Sequence, residues 1–347
     1  MNGNGAQRRA ALKGVASYLP AGTLTNQALA QELGGWDAQK IFEKTGIAVR
    51  HIAAPHECSS DLGVAAAQRL FDRGACAPSE IDFLLFCTQT PDYFLPTTAC
   101  LIQDRLGLRL DCGAIDFNQG CSGFVYGLSL AKSLIETGTA TNVLLITAET
   151  YSKFINPRDR SVRTIFGDGA AATLITAVES QTELIGPFVF GTDGRGAGEL
   201  IVPAGGMRQR VGCEQVVETE DARGNWRSER NLYMNGPEVY RFTVETVPRL
   251  LEQLLQKSGR RVEDVDQFIF HQANKFMLDR LRARTPIPEE KFWVDLADTA
   301  NTVSSTIPIA LEKAACRGQI RPGHNLALVG FGVGYSWAAA MMEWVAE

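Results

Sequence analysis

Eight cysteines are spread along the chain, and Cys121 alone stands where a sulfur is set up to react. In Asp116-Phe117-Asn118-Gln119-Gly120-Cys121-Ser122-Gly123-Phe124 an apparent strand ends, and a helical pattern running to about Glu136 begins. A sulfur at such a turn lies near the positive end of a helix dipole, which favours thiolate. Gly120 and Gly123 permit a tight turn and close approach of a substrate. The backbone N–H of Cys121 can also face a developing oxyanion. The competing reading is a buried structural thiol, the commonest fate of cysteine. A thiolate nucleophile usually works beside a histidine. His51, His56 and His324 fall in irregular or turn segments, whereas His271, in Phe270-His271-Gln272-Ala273-Asn274, directly follows a strand. Parallel strands present functional groups at that end. Asn301, in Thr299-Ala300-Asn301-Thr302-Val303-Ser304-Ser305-Thr306-Ile307-Pro308, stands just before a helical pattern and, taken alone, reads better as a helix cap than as a catalyst. Gly330-Phe331-Gly332-Val333-Gly334, which follows the last strand, can bring a backbone N–H to a reacting carbonyl. It is a weak dinucleotide signal, because no βαβ unit with a later acidic residue follows. No two cysteines are spaced as CxxC and the histidines do not cluster, so no metal site is expected.

These residues need elements to position them, and the elements repeat. Ile81-Asp82-Phe83-Leu84-Leu85-Phe86 and Val265-Asp266-Gln267-Phe268-Ile269-Phe270 read as matching buried strands, with Asp82 and Asp266 184 positions apart. Helical patterns over 65–73 and 247–257 precede them. Val143-Leu144-Leu145-Ile146 and Leu326-Ala327-Leu328-Val329 repeat at nearly the same offset. Short apolar strands alternating with helices imply parallel strands buried on both faces. Two copies at one period imply duplicated α/β halves, 1–180 with the cysteine and 181–347 with the histidine and asparagine, joined near 176–186. Between about 187 and 235 the pattern degrades into turn signals, as an elaborated loop region would. The helical pattern resumes at Asn235-Gly236-Pro237-Glu238-Val239.

Composition narrows the class. The 347 residues carry Lys+Arg 34 against Asp+Glu 39, a net charge of −5, which argues against nucleic acid or an anionic membrane as the main partner. A hydrophobic fraction of 45% with 21% charged residues fits a globular chain and excludes a disordered one. No apolar run approaches the roughly 18–20 residues of a membrane helix. Lys13 interrupts the apolar stretch after Arg8 and Arg9, which disfavours a signal peptide. The expected compartment is the cytoplasm.

Together the Cys-Ser-Gly-Phe helix start, the His-Gln-Ala-Asn element, the Asn-Thr-Val-Ser-Ser-x-Ile-Pro segment, the Ile165-Phe166-Gly167-Asp168-Gly169 block and the terminal Gly-Phe-Gly-x-Gly-x-x-Trp resemble β-ketoacyl-acyl-carrier-protein synthase III of the thiolase superfamily. The resemblance covers nearly the whole chain. It implies a thiolase-like α/β fold, with duplicated halves in a five-layer αβαβα arrangement, and a homodimer. It also implies a Cys121, His271, Asn301 triad, which reverses the isolated reading of Asn301. Cys121 would take an acyl group from a thioester, and His271 and Asn301 would support decarboxylation of malonyl-acyl carrier protein, in fatty acid or related biosynthesis. The oxyanion donors would be the backbone N–H groups of Cys121 and Val333. No cofactor is expected to stay bound; acyl-coenzyme A or an acyl-carrier-protein thioester enters as substrate. Carry-over places the coenzyme A contacts at Arg160 and Lys44, with Lys40 where the family has a stacking tryptophan and Trp36 a turn earlier. Lys44 replaces an arginine and is a poorer bidentate or stacking group. Ala300 replaces the usual glycine before the asparagine. Phe94 and Leu95, on a loop expected to cross the dimer, would wall the neighbour's acyl pocket. Lys275, Arg280, Arg282 and Arg284 make the segment after His271 locally basic and suit it to an acidic carrier protein. The nearest alternative is a thiolase-fold acyltransferase that passes the acyl group to an alcohol or amine. A non-catalytic partner subunit would usually lack a triad member, and a Cys-His hydrolase would not need the duplication.

Overall fold

The computed structural model describes residues 6–34, 36–210 and 217–346; Cys213 lies outside the described residues. Two five-stranded sheets carry the fold. The first contains β1 (Gln7–Tyr18), β2 (Phe83–Cys87), β3 (Gly113–Phe117), β4 (Asn142–Glu149) and β5 (Gly169–Ser180), in spatial order β1-β5-β4-β2-β3. The second contains β6 (Ile185–Thr192), β7 (Gln267–Phe270), β8 (Phe292–Trp293), β9 (Asn325–Gly332) and β10 (Ser336–Glu343), in the order β6-β10-β9-β7-β8. The two orders are the same, strand for strand. In each sheet the β4 or β9 position runs parallel to its β2 or β7 neighbour and antiparallel to β5 or β10. The duplication read from the sequence is therefore a duplication of topology.

Alternation along the strands explains the layers. Leu144 and Ile146 of β4 face outward with Leu62, Ala66 and Leu70 of α1 (Ser59–Asp72) and Ile102 of α2 (Thr98–Arg105). Val143 and Leu145 face inward onto α3 (Gly123–Glu136), whose Phe124, Val125, Leu128, Ala131 and Ile135 recur at helical spacing. The second sheet repeats the scheme. Ala327 and Val329 of β9 face α4 (Gly236–Ser258) and α5 (Lys275–Arg282). Leu326 and Leu328 face the shared central core, which includes Ile307, Ala310 and Leu311 of α6 (Thr306–Cys316). Helix, sheet, helix, sheet, helix is the five-layer arrangement expected. The central pair α3 and α6 is rich in buried apolar residues because both helices pack into the core between the two sheets.

Two sequence readings change. The degraded segment begins later than 187, because Ile185–Thr192 is β6, an outer strand with both faces only partly covered, whose sequence shows little alternation. Beyond it lie turns and two-residue ladders, Leu200–Ile201 with Tyr233–Met234 and Thr219–Glu220 with Trp226–Arg227. The Gly-rich run from Gly330 does not follow the last strand. It ends β9 and turns into β10, whose Ala338-Ala339-Ala340-Met341-Met342 is apolar on both faces and lacks a strand-like alternation.

Candidate active site

Cys121 lies between β3 and α3, 5% exposed, with Ser122 as the cap of α3. The end of β9 passes directly over its sulfur. A Cβ on Gly332 would lie 2.7 Å from Cys121 Sγ, so only glycine fits there. That approach brings the backbone N–H of Val333 near the sulfur, where it and the N–H of Cys121 itself favour the thiolate. Both backbone groups named from the resemblance therefore lie beside the sulfur. Burial nevertheless pushes the Cys121 thiol up to about 12, and the neighbouring Glu149 adds to the rise. The expected preference for thiolate is reversed in the closed site: desolvation outweighs the helix terminus and the two N–H groups.

His271 follows β7, fully inside the protein, and burial lowers it to about 3, so the ring is neutral. Its ring and that of Phe331 meet edge to face at 82°, with centroids 5.5 Å apart, and Nδ1 lies 2.7 Å from Thr306 Oγ1. Asn301 is held by the first half of the chain. Its N–H donates to Ile165 O and its carbonyl accepts from Gly167 N–H, both at 3.1 Å. This explains why the Ile165-Phe166-Gly167 block accompanies the asparagine. The Asn301 Oδ1 accepts from Val303 N–H at 2.9 Å, a bond of capping type, which commits the side-chain NH₂ to the other direction. The cap reading and the site reading therefore describe two ends of one amide. Ala300 and Val303, on either side, have φ of 60° and 55°, a left-handed conformation costly for a residue with a Cβ.

Cys121, His271 and Asn301 line one cavity of about 420 Å³, otherwise mostly apolar, with Phe166, Leu200 and Met234 among its walls and Phe276 in its lining. The remaining candidates lie around this chamber. Trp36, Lys40 and Lys44 line a separate cleft of about 210 Å³. Arg160 sits over the Trp36 ring at 5.9 Å and donates to Leu33 O at 3.0 Å. Trp36, a turn before Lys40, thus faces the arginine. Of the basic residues at α5, Lys275 pairs with Asp279 at 2.5 Å and Arg282 with Glu289 at 3.3 Å. Arg280 stacks over Phe276 at 5.3 Å, and Arg284 is exposed just past the helix end. The basic segment is partly neutralised by its own neighbours. Phe94 and Leu95 protrude, 77% and 82% exposed, far from filling a pocket of their own subunit.

Sequence reasoning missed three residues. Glu149, at the carboxyl end of β4, is wholly buried and accepts from Ser304 Oγ (2.7 Å), Gln89 N–H (3.0 Å) and Thr90 Oγ1 (3.3 Å). Burial pushes it up to about 8. Tyr151 packs near Cys121 and against Phe166 and donates to Gln89 Oε1 at 2.8 Å. Thr306 holds the histidine. A glutamate closing an otherwise apolar strand was the available signal for the first; nothing local marks the other two. Among the described residues no His, Cys, Asp or Glu group could hold a metal, the cysteines are free, and no helix is long and apolar enough to cross a membrane.

Residues 115–194 match the family model for 3-oxoacyl-[acyl-carrier-protein] synthase III, and residues 255–344 match the model for its C-terminal part. The β-ketoacyl-[acyl-carrier-protein] synthase III of Caldanaerobacter subterraneus subsp. tengcongensis is 37% identical over 335 residues, 96% of this chain and 98% of that protein. The chain belongs to the β-ketoacyl-acyl-carrier-protein synthase III family. A second family member, from Streptomyces coelicolor, is 38% identical over 98% of each chain. A crystal structure of a 3-oxoacyl-(acyl-carrier-protein) synthase III is 53% identical and superposes with a TM-score of 0.95, covering 97% of this chain and 100% of that one. Synthase III enzymes therefore share this chain's sequence and its fold over nearly their whole length.

Proposed function

We propose that the chain is a 3-oxoacyl-acyl-carrier-protein synthase III: it transfers an acyl group from a thioester to Cys121 and condenses it with malonyl-acyl carrier protein. The observation that carries this reading is that Cys121, His271 and Asn301 line one mostly apolar chamber, with the backbone at Gly332 and Val333 close over the sulfur. In the first step Sγ attacks the thioester carbonyl. The Sγ–C bond forms, the donor's C–S bond breaks, and the thiol proton ends on the departing sulfur. The N–H groups of Cys121 and Val333 stabilise the oxyanion, and because they are fixed backbone groups little reorganisation is needed. In the second step malonyl loses carbon dioxide, and the electron pair of the broken C–C bond enters the thioester as an enolate. His271 and Asn301 donate to that enolate oxygen. The enolate carbon attacks the acyl-enzyme, the Sγ–C bond breaks, and the sulfur takes up a proton from solvent. The product is the 3-oxoacyl thioester on the carrier protein.

The surrounding residues support the partners inferred from the resemblance. Trp36, Lys40, Lys44 and Arg160 offer a stacking face and cationic groups suited to the nucleotide end of coenzyme A, which leaves again with the reaction. Arg280 and Arg284 supply the least neutralised positive charge for acidic acyl carrier protein. A homodimer would cover Phe94 and Leu95 and place them against the neighbouring chamber, since an exposed apolar loop of this kind favours a partner surface. The test is incubation with an acyl thioester and malonyl-acyl carrier protein, following carbon dioxide and the mass of the intact protein. Wild type should gain one acyl group and release carbon dioxide, and Cys121→Ala should gain none. An adduct surviving in Cys121→Ala, or an acyl-enzyme that never releases carbon dioxide from malonyl, would refute the reading.

A further inference from the structure

The neutral His271 ring carries a single N–H, and which nitrogen holds it decides whether the group facing the chamber is a donor or an acceptor. Nδ1 meets Thr306, which is not among the residues lining the chamber. Its partner is the Thr306 hydroxyl, at 2.7 Å, in a fully buried contact. That hydroxyl has one proton and two acceptors within reach, Nδ1 and Val303 O, the latter at 3.1 Å. Val303 O is already satisfied by the backbone N–H of Thr306. Nδ1 has no such second partner among the described residues, and its contact is the shorter. We infer that Thr306 is a positioning residue that donates to His271 Nδ1 and so fixes the ring as the Nε2–H tautomer, a hydrogen-bond donor into the chamber.

The inference rests on the proposed role of His271 and sharpens it. Asn301 is treated in the same way by its surroundings: Val303 N–H occupies its Oδ1, leaving the NH₂ as the free end. One short segment, 301–306, thus sets both side chains as donors. It follows that His271 does not serve as the base for the Cys121 thiol, because its chamber-facing nitrogen already carries a proton. Burial reinforces this by keeping the ring from becoming a cation.

The test combines nitrogen-15 NMR of histidine-labelled protein with two variants. The His271 signal, identified by its loss in His271→Ala, should show a protonated Nε2 and an unprotonated Nδ1. Thr306→Val keeps the shape and removes the donor, so malonyl decarboxylation should fall about 10–100-fold while acylation of Cys121 stays within roughly threefold. Thr306→Ser should restore decarboxylation. A protonated Nδ1 in wild type overturns the inference without the variants, as does Thr306→Val decarboxylating as fast as Thr306→Ser. If His271→Ala is impaired while Thr306→Val is not, the tautomer assignment fails alone. If His271→Ala decarboxylates normally, the parent reading of the histidine fails.

Discussion

Replacing Glu149 by glutamine should make the protein more resistant to alkali. The carboxyl is buried at the junction of β4 with the 303–305 turn, and burial raises it from 4.5 to about 8. A raised acid holds its proton more tightly folded than unfolded, so wild type loses stability as pH climbs from about 4.5, where the unfolded chain releases the proton, to about 8, where the folded chain does. At about 1.4 kcal/mol per pH unit that interval amounts to roughly 5 kcal/mol as an upper bound, and relaxation around the ionised group reduces it to roughly 2–5 kcal/mol. Glutamine presents the same shape, with an oxygen for the Gln89 N–H and an NH₂ for Ser304 Oγ, and it does not titrate. At about 2 °C per kcal/mol for a chain of this size, the Tm of Glu149→Gln minus that of wild type should rise by roughly 4–10 °C between pH 5 and pH 9. Thermal denaturation followed by circular dichroism at half-unit steps measures it, and groups common to both proteins largely cancel in the difference. A difference that stays flat across that range, or that falls with pH, refutes the raised carboxyl and the burial reasoning behind it.

Three further outcomes are expected. Leu95→Ala should shift the preferred acyl donor to longer chains, with each added buried CH₂ worth about 0.8 kcal/mol, and Leu95→Trp should shorten it while sparing acetyl. An unchanged kcat/KM profile from two to twelve carbons in both variants, in a protein shown to be dimeric by sedimentation, removes the loop from the pocket. Charge reversal at Arg280 and Arg284 should raise the KM for carrier protein and flatten its salt dependence, since exposed charges attract over about 8–10 Å at physiological salt; unchanged kinetics place docking elsewhere. Ala300→Gly should leave Tm within about 2 °C of wild type, because relief of the left-handed conformation, about 1–2 kcal/mol, offsets the lost methyl and the added chain freedom, and a larger change in Tm would show that the balance is wrong.

The sequence carried the large features because each rests on a local pattern. Buried strands read as short apolar runs, and their spacing exposed the repeat. Cys121 and His271 sit at the carboxyl ends of strands, places that can be located without knowing what lies across the fold. What escaped depends on contact between distant segments. Glu149 matters because Ser304 reaches it from the other half of the chain. The thiol at Cys121 is raised because segments from both halves of the chain bury it, whereas the helix dipole is a property of one helix alone. Trp36 meets Arg160 because residues 36 and 160 are brought together by folding. The strain at Ala300 and Val303 is invisible in residue types, though an alanine where the family keeps glycine pointed to the first of them.

The matched topology of the two sheets also shows how symmetry was broken. Counting from the first residue of β2 and of β7, Cys87 holds the place in one copy that His271 holds in the other. Cys87 is buried with its Sγ 3.0 Å from Gln119 O, and burial raises it strongly, which makes it an inert wall of the core. In the proposed mechanism one copy supplies the nucleophile and the other the two side-chain donors, and Cys87 is no spare for His271. Two ancestral equivalents have become a single obligate pair. The hydrogen bonds that cross between them, Ser122 with Ser336 and Thr147 with Ser305, hold together a chamber that neither half can assemble by itself.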